Sequence, residues 1–307
     1  MNNRWWSLGF AALLTLVLLA GCGGSGANGS GGNGSGGGSS QASAEAALNN
    51  VVVSETPLYN AFVSTAYASI GTGGVFPALP VVLPSPLNKD AAPLAVYAWD
   101  CSGVQASGDL SDPDDDGIPA NGRYQGSCTV TETGTGTFSW HLDLSIQDVD
   151  NTDPKAGFTS SGNVSWELQG KWKIEWSASE HSVRRNQSGG YDLTYEGGWA
   201  YTDYSDSSND GSINYNLDGT WTPDDPNASF EDVWTGPGTL AMNGKVSASN
   251  DCAVDANFSF NLHFNGDGCA DRGQISYSGN DCQAHSCNVT ASWSSCNGPY
   301  QASGGCQ

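Results

Sequence analysis

Phe138-Ser139-Trp140-His141-Leu142-Asp143-Leu144-Ser145-Ile146-Gln147 alternates apolar and polar residues without a break. Successive side chains of an extended chain point to opposite faces, so the stretch predicts a strand with one apolar and one wet face. The pattern recurs downstream. Val164, Trp166 and Leu168 follow it, then Trp172, Ile174 and Trp176 set between Lys171, Lys173 and Glu175. Tyr191, Leu193 and Tyr195 repeat the period, as do Ile213, Tyr215 and Leu217, and Leu240, Met242 and Val246. Phe258, Phe260, Leu262 and Phe264 continue it, and Ile275 with Tyr277 and Val289 with Trp293 end it. Gly-, Asn- and Asp-rich clusters separate the runs and mark turns. Residues 91–307 therefore read as an all-β domain, a large antiparallel meander of about ten strands. Its apolar face must be hidden against another layer or by closure, which predicts a sandwich or a closed, barrel-like sheet. A lipid-facing barrel is disfavoured, because Lys, Glu and His mix on the polar side and the aromatic residues form no girdles.

Residues 44–90 have a different character. Ala44 to Val53 are good helix formers, and Pro57 suits the first turn of a helix carrying Leu58, Phe62 and Ala66 up to the stop at Gly71-Thr72-Gly73-Gly74. This short helical segment is expected to cover an open end or an edge of the sheet. Pro77, Pro80, Pro84 and Pro86 then make an extended connector. Residues 22–43 are almost entirely Gly, Ser and Asn without charge. Such a segment has nothing to bury and predicts a flexible tether with a typical reach of roughly 25 Å.

The chain begins with Arg4 ahead of the apolar stretch Leu8 to Ala20, which is too short for a spanning helix of about 20 residues. That stretch runs into Leu19-Ala20-Gly21-Cys22, which resembles the lipobox of bacterial lipoprotein precursors. The resemblance implies that residues 1–21 are a signal peptide and that the Cys22 sulfur carries diacylglycerol. It also implies a second acyl chain, palmitate or similar, on the new amino terminus. Gly23, rather than Asp, after the lipidated cysteine implies sorting to the cell outer membrane, with the membrane a partner through the lipid alone.

Nine cysteines less Cys22 leave Cys101, Cys128, Cys252, Cys269, Cys282, Cys287, Cys296 and Cys306. An even number in an exported chain predicts disulfide bonds. Proximity along hairpins favours Cys101 with Cys128 and Cys252 with Cys269, leaving the last four to pair among themselves. Cys282, His285, Cys287 and Cys296 could alternatively bind zinc, a reading disfavoured in an oxidising compartment.

The net charge of −22 comes mostly from Asp, 24 residues against 8 Glu. It excludes nucleic acid and anionic head groups as partners, since both require Lys and Arg against phosphate. Asp112-Pro113-Asp114-Asp115-Asp116-Gly117-Ile118-Pro119 resembles the calcium loops of EF-hands and thrombospondin type 3 repeats. The resemblance implies a calcium cofactor held by Asp112, Asp114 and Asp116 and by the Ile118 carbonyl, with Gly117 making the sharp turn. It fails further on: Arg123 stands where an EF-hand has its bidentate Glu, so the site is expected to be weak. Asp148, Asp150 and Asp153 form a looser cluster that matters if it folds beside the first.

No catalytic constellation emerges. His141, His181, His263 and His285 are scattered, no metalloprotease or serine-nucleophile motif occurs, and Glu167, Glu175 and Glu196 fit an ordinary wet sheet face. Trp166, Trp172, Trp176, Trp199 and Trp221 fall on apolar faces and are expected in the core rather than on a sugar-stacking platform. The expected function is that of a non-catalytic cell-envelope lipoprotein with a disulfide-stabilised β ectodomain, and the chain is not expected to be an enzyme. A ligand-binding module for carbohydrate or a small hydrophobic molecule is the alternative, and a hydrolase the third reading.

Overall fold

The computed structural model describes residues 37–72, 75, 103–132, 136–249, 253–281, 283–296 and 298–307. Helix α1 spans Gly37–Ser54 and helix α2 Thr56–Gly71. The strands that follow are β1 (Gln105–Asp109), β2 (Asn121–Glu132), β3 (Gly136–Asp148), β4 (Gly157–Leu168), β5 (Trp172–Arg185) and β6 (Tyr191–Asp203). Then come β7 (Gly211–Pro223), helix α3 (Phe230–Thr235), β8 (Pro237–Ser249), β9 (Ala253–Asn265), β10 (Ala270–Asn280), β11 (Ser286–Trp293) and β12 (Gln301–Cys306). All twelve strands form one antiparallel sheet in sequence order. The all-β meander expected from the period-two runs is present.

The expected sandwich or closed barrel is not. The sheet is single and its hydrogen-bonded order ends at β1 and β12 without closing. Its apolar face is hidden by the chain's own helices instead. Residues 50–58 are buried without exception, although a flat sheet would cover only one side of a helix. The sheet therefore wraps round the helices, and the segment expected at an edge lies in the interior. Phe62 of α2 meets Tyr215 of β7 and Phe260 of β9, with ring centroids at 6.2 and 5.8 Å. Ser43 of α1 bonds the Tyr124 hydroxyl of β2 at 2.5 Å. The short α3 closes the packing from the side: Ser229 caps it by accepting from the Asp232 amide, and buried Phe230, Val233 and Trp234 face Tyr191 and the two longer helices.

Helix α1 begins at Gly37 and so takes up the last seven residues of the expected tether. Gly and Ser are poor helix formers, but tertiary packing of the downstream turns overrides propensity. The rest of the tether, the signal peptide with Cys22, and the Pro77–Pro86 connector lie outside the described residues. Pro57 sits in the first turn of α2 as expected. It has no amide hydrogen to continue a helical ladder, so Ser54, Glu55 and Thr56 form the joint between the helices.

Two disulfides join the C-terminal strands, Cys269–Cys296 and Cys287–Cys306. The first corrects the expected Cys252–Cys269 bridge. Cys269 sits in the turn between β9 and β10, at the far end of the 13-residue strand β9 from its first residue Ala253. Cys269 instead meets Cys296, which follows β11 at the same end of the sheet. Cys296 is thus drawn away from the last four, so those do not pair among themselves. Cys101, Cys252 and Cys282, and the Cys128 side chain, lie outside the described residues.

Strand β5 carries a bulge at Ser179–Glu180, seen as a register shift against both β4 and β6. Ile174, Trp176 and Ala178 face inward before it, and His181 and Val183 after it. One extra residue has changed the parity of the strand. On the neighbouring β4, Gly162 has φ +147° and a Cβ there would lie 2.1 Å from the Asp143 carbonyl oxygen, so only glycine fits.

Candidate metal centre and buried carboxylate

The loop between β1 and β2 is built by its own acids. The Asp109 carboxylate accepts from the Ser111 amide and hydroxyl at 3.1 and 2.7 Å. Asp112 accepts from the Asp116 and Gly117 amides at 3.2 and 2.9 Å, and Asp116 from the Ile118 amide at 2.8 Å. Asp115 and Gly117 hold positive φ, the backbone signature of a sharp turn. Ile118 anchors the loop with a fully buried side chain. Asp112, Asp114 and Asp116 each bring one carboxylate oxygen within 4.8 Å of the others.

The sequence left open whether the acids near residue 150 fold beside this loop. They do: the Asp148 amide at the end of β3 donates to the Pro119 carbonyl at 3.1 Å. Asp148 Oδ1 accepts from the Asp150 amide, while Asp150 turns away to cap Thr152 and Asp153 pairs with Arg185. Helix α1 reaches the loop as well, through Asn50 Nδ2 donating to the Asp116 carbonyl at 3.3 Å.

Four carboxylate oxygens of these residues are buried without a hydrogen-bond donor: both of Asp114, Oδ2 of Asp116 and Oδ2 of Asp148. Burial pushes the Asp116 carboxyl up to about 7, and the charges of Asp114, Asp148 and Asp112 add to the shift. Burial first, then neighbouring carboxylates, also raises Asp114 and Asp148. The Lys and Arg side chains that form ion pairs among the described residues do so with other acids, Arg123 with Asp143, Lys173 with Glu175, Arg185 with Asp153 and Arg272 with Asp271. Clustered, desolvated, donor-free carboxylate oxygens are the donor set of a hard divalent cation.

A second buried acid was not singled out by sequence. Glu55, at the joint of α1 and α2, places its carboxylate against the inner wall of the sheet. Oε1 accepts from Trp176 Nε1 at 3.0 Å and from the Tyr215 hydroxyl at 3.1 Å, and Oε2 from Trp199 Nε1 at 3.2 Å. His181 Nδ1 lies 3.5 Å from Oε1, and His181 Nε2 bonds the Ser54 hydroxyl at 3.0 Å. The Tyr195 hydroxyl donates to the Ser54 carbonyl at 2.8 Å. Burial outweighs three donors and pushes the Glu55 carboxyl up to about 7, while burial alone pushes His181 down to about 3. The group ties the helical joint to β5, β6 and β7.

The remaining sequence candidates do not converge. His141 faces outward and is exposed, His263 sits between Asp224 and Asp271, and His285 pairs with Asp281. Glu167 is opposite Lys173, Glu175 opposite Ala200 and Glu196 opposite Asn216, so the three acids occupy separate rows of the outer face. Trp166, Trp176, Trp199 and Trp221 are buried and Trp172 partly so, in the core where their periodicity placed them. Cys287 and Cys296 of the alternative zinc set are consumed by disulfides.

No family model matches this chain, and neither a curated protein nor a solved structure is similar to it.

Proposed function

We propose that this chain is a lipid-anchored module of the bacterial cell envelope, attached to the outer membrane through Cys22 and non-catalytic in its β ectodomain. The observation that supports the reading is the direction in which the sheet faces. Its apolar side is packed on the chain's own helices, while the outer side presents His141, Asp143 and Ser145 on β3, Lys173, Glu175 and Ser177 on β5, and Asn214, Asn216 and Asp218 on β7. Such a surface suits water, and a domain of this kind needs a lipid to stay at a membrane. The acidic loop fits a structural role for calcium, held by Asp112, Asp114, Asp116 and the Ile118 carbonyl.

Cys22→Ser is expected to abolish fatty-acid incorporation in metabolically labelled cells and to leave an uncleaved precursor, because no other residue at the junction can form the thioether. Labelling that persists in the variant contradicts the anchor.

The alternative of a ligand-binding module draws support from a shallow groove on the outer face, about 680 Å³, lined among others by Gln125, His141, Asp143, Asn163, Ser177 and Asn214. Gly126, Gly198 and Ala200 leave the space open. The amides, hydroxyls and carboxylates of this lining suit a carbohydrate. A glycan array probed with the mature protein distinguishes this reading from the first.

A further inference from the structure

We infer that the calcium site spans two turns: Asp148, where β3 runs into the β3–β4 turn, adds to a shell begun by Asp112, Asp114 and Asp116. The inference rests on the calcium reading of the β1–β2 loop and extends it to a residue outside that loop.

The loop alone is an incomplete chelator. Its three carboxylates leave an ion that takes six to eight oxygens dependent on water and carbonyls. Asp148 supplies what the loop lacks. It is 7% exposed, and its Oδ2 has no donor, although Oδ1 is satisfied by the Asp150 amide. A buried carboxylate oxygen without a donor costs much of the desolvation of the group, which a bound cation would recover. The Asp148 amide on the Pro119 carbonyl lays the end of β3 along the loop and so brings the residue beside it. The charge of Asp148 acts on both Asp114 and Asp116, which places it across the same space.

Asp114 has two donor-free oxygens and Asp116 and Asp148 one each. With Asp112 they make four carboxylates, a set that suits calcium rather than magnesium, since magnesium retains most of its water. The ion would then bind β1, β2 and β3 together near the open edge of the sheet. Through the Asp116 carbonyl and Asn50 it would also brace helix α1.

The test is calorimetric titration of calcium chloride into the mature protein in detergent, beside Asp148→Asn and Asp115→Asn. The second variant is a control of equal charge: Asp115 lies in the same loop but is exposed, and its φ of 60° is one asparagine tolerates. The wild type should bind one calcium with a dissociation constant below about 10⁻⁴ M. Asp148→Asn should weaken binding at least ~10-fold and Asp115→Asn less than ~3-fold, as expected for a ligand and a bystander. In EDTA, Asp148→Asn should melt no lower than the wild type, because it relieves repulsion, and a normal melt shows that it folds. Equal losses in the two variants would overturn the two-turn site while leaving the loop as a calcium binder. Absence of calcium binding by the wild type, or equal binding of magnesium chloride, would overturn the loop reading and the inference together.

Discussion

Glu55→Ala is expected to destabilise the protein by about 3–5 kcal/mol in urea unfolding, because it strands several buried polar groups at once. The variant deletes the carboxylate that accepts from Trp176, Trp199 and Tyr215, and each buried donor left unsatisfied costs roughly 1–3 kcal/mol, partly relieved by relaxation. It also unfastens the joint between α1 and α2 from the wall of the sheet. Glu175→Ala is the comparison. Glu175 is exposed and paired only with Lys173 on the outer face, where such pairs contribute about 0–1 kcal/mol. Equal losses in the two variants would mean that Glu55 is not the fastening described.

Glu55 and His181 together predict an unusual pH profile. The Glu55 carboxyl is higher in the folded protein, about 7 against 4.5, so its contribution to stability falls as pH rises through that interval. His181 is lower, about 3 against 6.5, so its contribution falls as pH drops through its own interval. Between pH 4.5 and 6.5 the folded state holds its proton on Glu55 and the unfolded state holds one on His181. The proton counts match, and the pair contributes no slope. Glu55→Gln removes one side of that balance. Relative to wild type, the variant should lose about 3 kcal/mol between pH 6.5 and 4.5, the free energy of two pH units for one uncompensated proton. The difference between the two profiles isolates the pair from the acidic loop, which titrates in both proteins. Parallel profiles would contradict the arrangement.

How much of this was legible in the sequence depended on whether a residue's surroundings were local. The inward faces of β3 through β11 follow from period two alone, because a half-buried strand writes its environment into every second residue. The edge strands do not: Gln105–Asp109 and Gln301–Cys306 pair through backbone and have few apolar side chains to bury, so no alternation marks them. His181 escaped for a related reason. Its inward direction depends on the bulge at Ser179–Glu180, and nothing in Ser-Ala-Ser-Glu announces an extra residue. Glu55 carried only a weak signal, an acid between two apolar helical stretches immediately before Pro57. Its three donors come from strands more than 120 residues away. In the metal loop the spacing of Asp112, Asp114 and Asp116 was visible, because that part of the chelate is contiguous. Asp148 was visible only as an acid, since its place beside the loop is set by the pairing of β2 with β3.

The feature from which the proposed function follows is that the interior belongs to the chain's own helices, leaving the outer face and the anchor to meet the surroundings. Hydrogen exchange of the mature protein, followed by mass spectrometry, tests this most directly. Amides of residues 44–69 should exchange as slowly as those of the central strands β5 to β9, because helices enclosed by the sheet open only when the sheet does. Exchange of residues 44–69 within seconds, while β5 to β9 stay protected, would show that the helices lie outside the core and would contradict the account.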